Sequence, residues 1–392
     1  MSSNNSHIYS KIQTLHKSFE HEQLFRSLKN ISPTDSPHYI EINGAKLLNA
    51  CSNNYLGLTH NPEIIQAVQK AVEEYGAGGG ASRLVSGNCN LYSSIENTLI
   101  DFFELDNSFS SLVFSNGYAG NIGILSALGS FPNTEIFMDK LCHASLIDGA
   151  LLSGAKIKRY KHNDSTHLEA LFAKSHSLNK IIVTDGVFSM DGNLAHLNEI
   201  IDLKNKHKAF LVVDDAHGIG VLGEKGKGII EELNISHKEI DCLIGTFGKA
   251  FGLYGAFAVA HNEVIDFFIN KARSLIFSTA LPPAILSGIL TSLEIVKRMN
   301  AERSRLRRMS IELRNTLQTR GYKVPEGITP IVPIILGENE KALTMAEKCL
   351  QKGVFISAIR PPAVPKNRAR LRLTLSSGFE EKEIDPILNC FE

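Results

Sequence analysis

From about Ser111 to Ala260 the chain repeats one pattern: a short apolar run, a turn, an amphipathic stretch, then another apolar run. The runs are Ser111 to Ser115, Glu135 to Met138, Lys156 to Tyr160, Lys180 to Asp185, Ala209 to Asp214, Asp241 to Thr246 and Ala256 to Ala260. Contiguous apolar runs mark strands covered on both faces, and helical stretches between them, such as Leu197 to His207, are the crossovers that parallel neighbours require. The pattern predicts an α/β fold on a mostly parallel, seven-stranded sheet.

The flanks differ. Residues 1–60 read as a helix and an extended arm with too little apolar surface to fold alone, so they are expected to pack on the rest of the chain or on a second copy. The large α/β domain is placed at 61–285 and a small α+β domain at 286–392. Pro282-Pro283 opens a helical region predicted to run to about Arg320. After it come a strand at Ile331 to Ile335, a helix at Glu340 to Lys352, strands at Val354 to Ala358 and Arg370 to Leu375, and a closing helix.

Composition excludes more than it selects. With 41 basic and 41 acidic residues, nothing electrostatic favours nucleic acid or an anionic membrane. The densest basic run, Arg303 to Arg308, reads as a solvated helix face. Six scattered cysteines lack metal or redox spacing, no histidine pair has metal-ligand spacing, and no metal is expected. A polar amino terminus without an apolar segment, and no apolar stretch long enough to span a bilayer, point to a cytoplasmic protein.

Several strands end in chemistry. In open α/β sheets ligands collect at the carboxyl ends of strands. Cys242 to Gly245 runs into Thr246-Phe247-Gly248-Lys249-Ala250-Phe251-Gly252, where a glycine-rich turn holds a lysine beside buried surface. Desolvation there favours the free amine that a Schiff base needs. Upstream, Val212-Val213-Asp214-Asp215-Ala216-His217 ends an apolar run in a carboxylate whose burial demands a partner. Asp215, its neighbour, is expected to face the other way and serve structure. Ser115-Asn116-Gly117-Tyr118 opens a helix whose amides suit a phosphate, although a plain strand-to-helix turn looks alike. His143 follows another strand, placed either to lie against an aromatic cofactor or to cap a helix, and Ser189 offers a hydroxyl at the same edge or belongs to an ordinary turn. Arg370 and Arg372 share a strand face suited to a carboxylate, the plainer alternative being a solvated edge strand. A lysine, an acid for a pyridinium nitrogen and phosphate donors are the requirements of a pyridoxal 5′-phosphate (PLP) site.

These segments, with Cys51-Ser52-Asn53-Asn54-Tyr55-Leu56-Gly57-Leu58, Gly78 to Gly87 and Ile359 to Leu375, resemble the α-oxoamine synthase family of fold-type I PLP enzymes over nearly the whole chain. The resemblance implies Lys249 as the Schiff-base lysine, Asp214 as the pyridinium partner and His143 as the ring-stacking histidine. It places Ser189 and His217 at the ring hydroxyl, with Gly117, Tyr118 and Thr246 on the phosphate. Ser278 and Thr279 would reach the phosphate from the partner subunit of a homodimer with shared sites. Arg26, Asn53, Arg360, Ala363 and Arg372 fall on the substrate side, with Arg372 on the amino acid carboxylate. The implied reaction is a decarboxylative condensation of L-alanine with a pimeloyl thioester, carried on coenzyme A or an acyl-carrier protein, in biotin biosynthesis. Relatives that pair glycine with acetyl or succinyl thioesters, or serine with a long acyl thioester, are alternatives, as is a catalytically idle subunit. Three positions depart from the family pattern: Asp185 where glutamate is frequent, Ala363 where a relative carries threonine, and Tyr254 where the residue is usually small.

Overall fold

The computed structural model describes residues 7–392, so the first six residues of the expected arm lie outside it. Helix α1 (His7–His21) leaves Ile8, Ile12, Leu15 and Phe19 exposed. It is followed by β1 (Ser32–Pro33) and the hairpin strands β2 (Tyr39–Ile42) and β3 (Ala45–Asn49). Next comes α2 (Pro62–Tyr75), started by Pro62 and capped by Asn61, whose side chain accepts from the Glu63 and Ile64 amides. Helix α3 (Asn90–Phe103) completes this part.

The alternating region then folds as β4 (Phe109–Phe114), α4 (Gly117–Leu128), β5 (Thr134–Asp139), α5 (Ala144–Ser153), β6 (Lys156–Tyr160), α6 (Ser165–Phe172), β7 (Asn179–Asp185), α7 (Leu197–His207), β8 (Phe210–Asp214), α8 (Ile229–Glu232), β9 (Cys242–Thr246) and β10 (Ala256–His261). These strands form one seven-stranded sheet in the order β4-β10-β9-β8-β7-β5-β6. The other six strands run parallel and β10 alone runs opposite to them. Alternate residues serve two cores: Ile182, Leu211, Val213 and Leu243 face one layer, whereas Ile181, Val183, Val212 and Ile244 face the other. Coverage on both faces is why the strands read as unbroken apolar runs.

After α9 (Asn262–Lys271) and α10 (Arg273–Ile276), the expected single helical region is two helices, α11 (Pro283–Lys297) and α12 (Asn300–Thr319). Helix α11 spans the boundary expected at 285/286 and packs on α2 and α3. The rest of the chain forms β11 (Ile331–Gly337), α13 (Asn339–Gln351), β12 (Val354–Phe355), β13 (Ser357–Ile359), β14 (Ala369–Thr374) and α14 (Glu381–Asn389). The segment expected as one strand at Val354 to Ala358 is divided between two sheets. Strand β12 pairs parallel with β3, joining the amino-terminal hairpin to the carboxyl-terminal elements, while β13 pairs with β14. The order β11-β14-β13 makes β14 central, which removes the solvated-edge alternative for Arg370 and Arg372. No described helix is long and apolar enough to cross a membrane.

Candidate active site

Parallel pairing brings the carboxyl ends of β5, β7, β8 and β9 to one edge, with Asp185 directly opposite Asp214. Lys249 lies on the turn joining β9 to β10. That turn is fixed from within: the Thr246 hydroxyl donates to the Gly255 carbonyl at 2.9 Å and accepts from the Gly248 amide at 3.1 Å. Phe247 and Phe251 are fully buried beneath it. Gly252 has φ +71°, and a Cβ there would meet the Leu58 backbone at 2.7 Å, so both conformation and space require glycine.

Burial pushes the Lys249 amine down to about 8, against the opposing pull of Asp214 and with a further downward push from the Arg372 cation. At neutral pH about a tenth of such amines are unprotonated, compared with a few in ten thousand for an ordinary lysine. Asp214 is buried and held on both oxygens, by Asn121 Nδ2 at 2.6 Å and by the Ala216 amide at 3.0 Å. Asn121 also donates to Ser145 Oγ at 2.8 Å, linking α4 and α5 behind the carboxylate. Burial, reinforced by the Asp214 charge, drives Asp185 well above the usual carboxylate range. Its Oδ2 accepts the His143 amide at 2.9 Å.

His143 caps α5, its Nδ1 meeting Ser145 Oγ at 2.7 Å and the Ser145 amide at 3.3 Å. Burial lowers its pKa. His217 is buried with Nδ1 2.6 Å from the Tyr55 hydroxyl, and burial followed by the Lys249 and Arg372 charges holds it far below the usual imidazole value. Arg372 is almost fully buried and meets only neutral acceptors: Ser189 O at 2.6 Å, Thr374 Oγ1 and Asn53 Oδ1 at 3.1 Å, and the Tyr55 hydroxyl at 3.4 Å. Its strand neighbour Arg370 is paired with Asp191 at 2.6 Å. Of two adjacent buried cations, Arg372 is therefore the one without a carboxylate partner, an arrangement that favours an incoming carboxylate.

At the amino end of α4, Asn116 Oδ1 accepts from the Ala119 amide at 2.9 Å, while the Gly117 and Tyr118 amides find no acceptor among the described residues. Gly117 has ordinary backbone dihedrals, and a Cβ built on it meets nothing within 4 Å. The fold itself does not require glycine there; the open space suits a group approaching the backbone closely, as a phosphate does.

A cavity of about 420 Å³ opens beside this edge, lined by His143, Ile147, Phe188, Ser189 and Ala363 among others. Its outer wall is the Arg360 to Pro365 loop. Arg26 Nη2 donates to the Pro361 carbonyl at 2.7 Å, and Arg360 reaches back to the carbonyls of Gln23 and Phe25. The arm and loop thus clasp one another. Asp215, as expected, faces away: its Oδ2 accepts the Ile229 amide at 2.7 Å, where a Cβ on Gly186, Gly218 or Gly228 would collide with it.

Lys249, Asp214, His143, His217, Asn53 and Arg372 are thus gathered together, with Ser189 and Ala363 on the adjoining cavity. Ser278 and Thr279 line a small recess with Arg83 and Ser115, near the exposed Phe277. Sequence reasoning gave no role to Asn121, Ser145 or Tyr55. The available signal for Asn121 was a polar residue on a helix otherwise composed, around it, of Gly, Ile, Leu and Ala.

The family model for aminotransferase class I and II matches residues 45–391. An 8-amino-7-oxononanoate synthase of Trichlorobacter lovleyi is 44% identical over 368 residues, covering 93% of this chain and 92% of that one. The chain belongs to the 8-amino-7-oxononanoate synthase family. A solved synthase of that name from Francisella tularensis shares 29% identity, with a TM-score of 0.76 over 88% of this chain and 96% of its own. A serine palmitoyltransferase from S. paucimobilis with a bound PLP-myriocin aldimine shares 28% identity, with a TM-score of 0.91 over 98% of this chain and 96% of its own. Backbone similarity is thus shared with both activities, while the higher sequence identity lies with the synthase family.

Proposed function

We propose that this chain is a PLP-dependent acyltransferase that condenses L-alanine with a pimeloyl thioester, releasing carbon dioxide and the thiol and giving 8-amino-7-oxononanoate. The observation that carries the proposal is Lys249, a buried amine shifted to about 8 on the turn at the carboxyl edge of the sheet, acted on by the fixed Asp214 carboxylate and the unpaired Arg372 cation. Bound at Lys249, PLP supplies an electron sink for negative charge at the amino acid α-carbon.

The protein's own groups do the rest. Asp214, immobilised by Asn121 and the Ala216 amide, places a fixed negative charge for the ring nitrogen. His143 and His217 remain neutral, so they contact the ring and substrate without adding positive charge. Gly117 and Tyr118 amides hold the phosphate, with Thr246 beside them. Because the Thr246 hydrogen is committed to Gly255, this hydroxyl contributes chiefly by fixing the turn. Arg372 takes the alanine carboxylate, with Asn53 orienting the guanidinium. The free Lys249 amine would remove the α-proton of alanine and later return one to the same carbon. The cavity walled by Ile147, Pro362, Ala363 and Val364 receives the acyl chain, and Arg26 with Arg360 holds that wall in place.

A second copy of this chain is proposed to complete each site. The exposure of Phe277 and Val85, close to Ser278 and Thr279 in sequence or across the Ser82–Thr279 bridge, supports this.

The test is a thiol-release assay on cofactor-loaded protein, crossing alanine, glycine and serine with pimeloyl, acetyl, succinyl and palmitoyl thioesters. Release confined to alanine plus pimeloyl thioester, with the amino ketone identified by mass, is the expected result. Preference for glycine or serine would move the protein to another activity on the same fold.

A further inference from the structure

Tyr254 closes the turn that carries Lys249, and its ring is half exposed. Its hydroxyl oxygen accepts from Asn116 Nδ2 at 3.1 Å. Asn116 is the cap of α4, and its other amide atom, Oδ1, is occupied by the Ala119 amide. Both ends of the Asn116 amide are therefore fixed, one on the helix and one on the phenol. A phenol has one hydrogen to donate. Since Tyr254 acts as acceptor toward Asn116, its own O–H remains, and no acceptor for it exists among the described residues. Its partner Asn116 immediately precedes Gly117, whose amide is equally unpaired among the described residues and borders open space.

We propose that the Tyr254 hydroxyl is a third donor for the cofactor phosphate, alongside the Gly117 and Tyr118 amides, and that Asn116 holds the phenol in place for it. The inference rests on the PLP reading of the site and extends it to a side chain from a different element. The chemical basis is simple. A phosphate dianion presents three terminal oxygens, and a hydrogen bond to a charged acceptor is stronger than one to a neutral group. With donors from α4 and from the Lys249 turn, the phosphate would bridge the segment that anchors the cofactor and the segment that bonds to it covalently.

The test compares two ligands that differ only in the phosphate. Apo protein, wild type and Tyr254→Phe, is titrated with PLP and with pyridoxal, and dissociation constants are read from the absorbance change of the cofactor. Thermal unfolding of both apo proteins is recorded alongside. The expected result is about a tenfold weaker affinity of Tyr254→Phe for PLP, unchanged affinity for pyridoxal, and an unchanged apo transition. Equal weakening for both ligands would assign Tyr254 a purely structural role through Asn116 and overturn the proposal. Unchanged PLP affinity would overturn it as well, while leaving the cofactor reading intact. Wild-type protein that binds neither ligand would remove the cofactor reading and this inference together.

Discussion

His237 lies in a short turn ahead of β9, with its ring 5.6 Å from Phe103 and 5.4 Å from Phe109. Both ring nitrogens are buried and lack a hydrogen-bond partner. Burial lowers its pKa from 6.5 to about 4. The folded state thus binds this proton less readily than the unfolded state, and stability falls as pH drops below 6.5 until the folded group titrates near 4. At about 1.4 kcal/mol per pH unit, this one residue removes about 2 kcal/mol between roughly pH 7.5 and pH 5, and about 3 kcal/mol in full. His237→Leu abolishes the titration. It also loses ring contacts, but that cost does not vary with pH, so the comparison rests on slopes. Equilibrium urea unfolding of wild type and variant, at matched protein concentration and at both pH values, is the assay. Wild type should lose about 2 kcal/mol more than the variant on acidification. Equal losses would show that His237 accepts its proton without penalty, and the buried-neutral argument would fail. The ring sits among the residues that begin β4 and β9, at the opposite edge of the sheet from Lys249, so the acid effect should appear in stability and not in substrate binding.

The remaining predictions concern the site. Uptake of PLP by apo protein should accelerate as pH rises through about 8, because the free Lys249 amine is the reacting form; a rate that keeps climbing towards 10 would mean that burial does not depress this lysine. Asn121→Ala leaves an oxygen of the buried Asp214 without its donor and should cost about 2 kcal/mol of stability together with activity, measured by thermal unfolding and turnover. Arg372→Lys keeps the charge and loses the fork. It should raise the KM for alanine by about ten- to a hundredfold with a much smaller effect on the KM for the thioester, and equal effects on both would argue against carboxylate capture.

The central sheet was legible because burial on both faces writes itself into sequence as contiguous apolar runs. The flanks were less so. The α11–α12 break falls at Arg298-Met299, with no glycine or proline to announce it. The division of Val354 to Ile359 between two sheets depends on β3, some three hundred residues earlier, and no local pattern encodes that choice. The same limit governs the site. Lys249 and Asp214 stood out in sequence because each directly follows or ends an apolar strand, in segments that also carry the family resemblance. Asn121, Tyr55 and Tyr254 act across separations of 93, 162 and 138 residues, and acquire their meaning only when the strands are aligned.

That limit is sharpest for the carboxylates. Asp139, Asp185 and Asp214 each end an apolar strand, and that position alone does not separate them. Their surroundings do. Asp139 is committed to His162 at 3.1 Å and to the amides of Leu141 and Asn163 at 2.8 and 2.9 Å, so its charge is absorbed locally. Asp185 is fully enclosed, beside Asp214, and is driven toward its neutral form while it holds the His143 backbone. Asp214 keeps two donors, neither of them charged, and is the largest favourable charge acting on Lys249. Three like carboxylates cannot all remain ionised at one sheet edge without partners. Parallel register and two neutral donors make Asp214 the carboxylate we propose for the cationic ring.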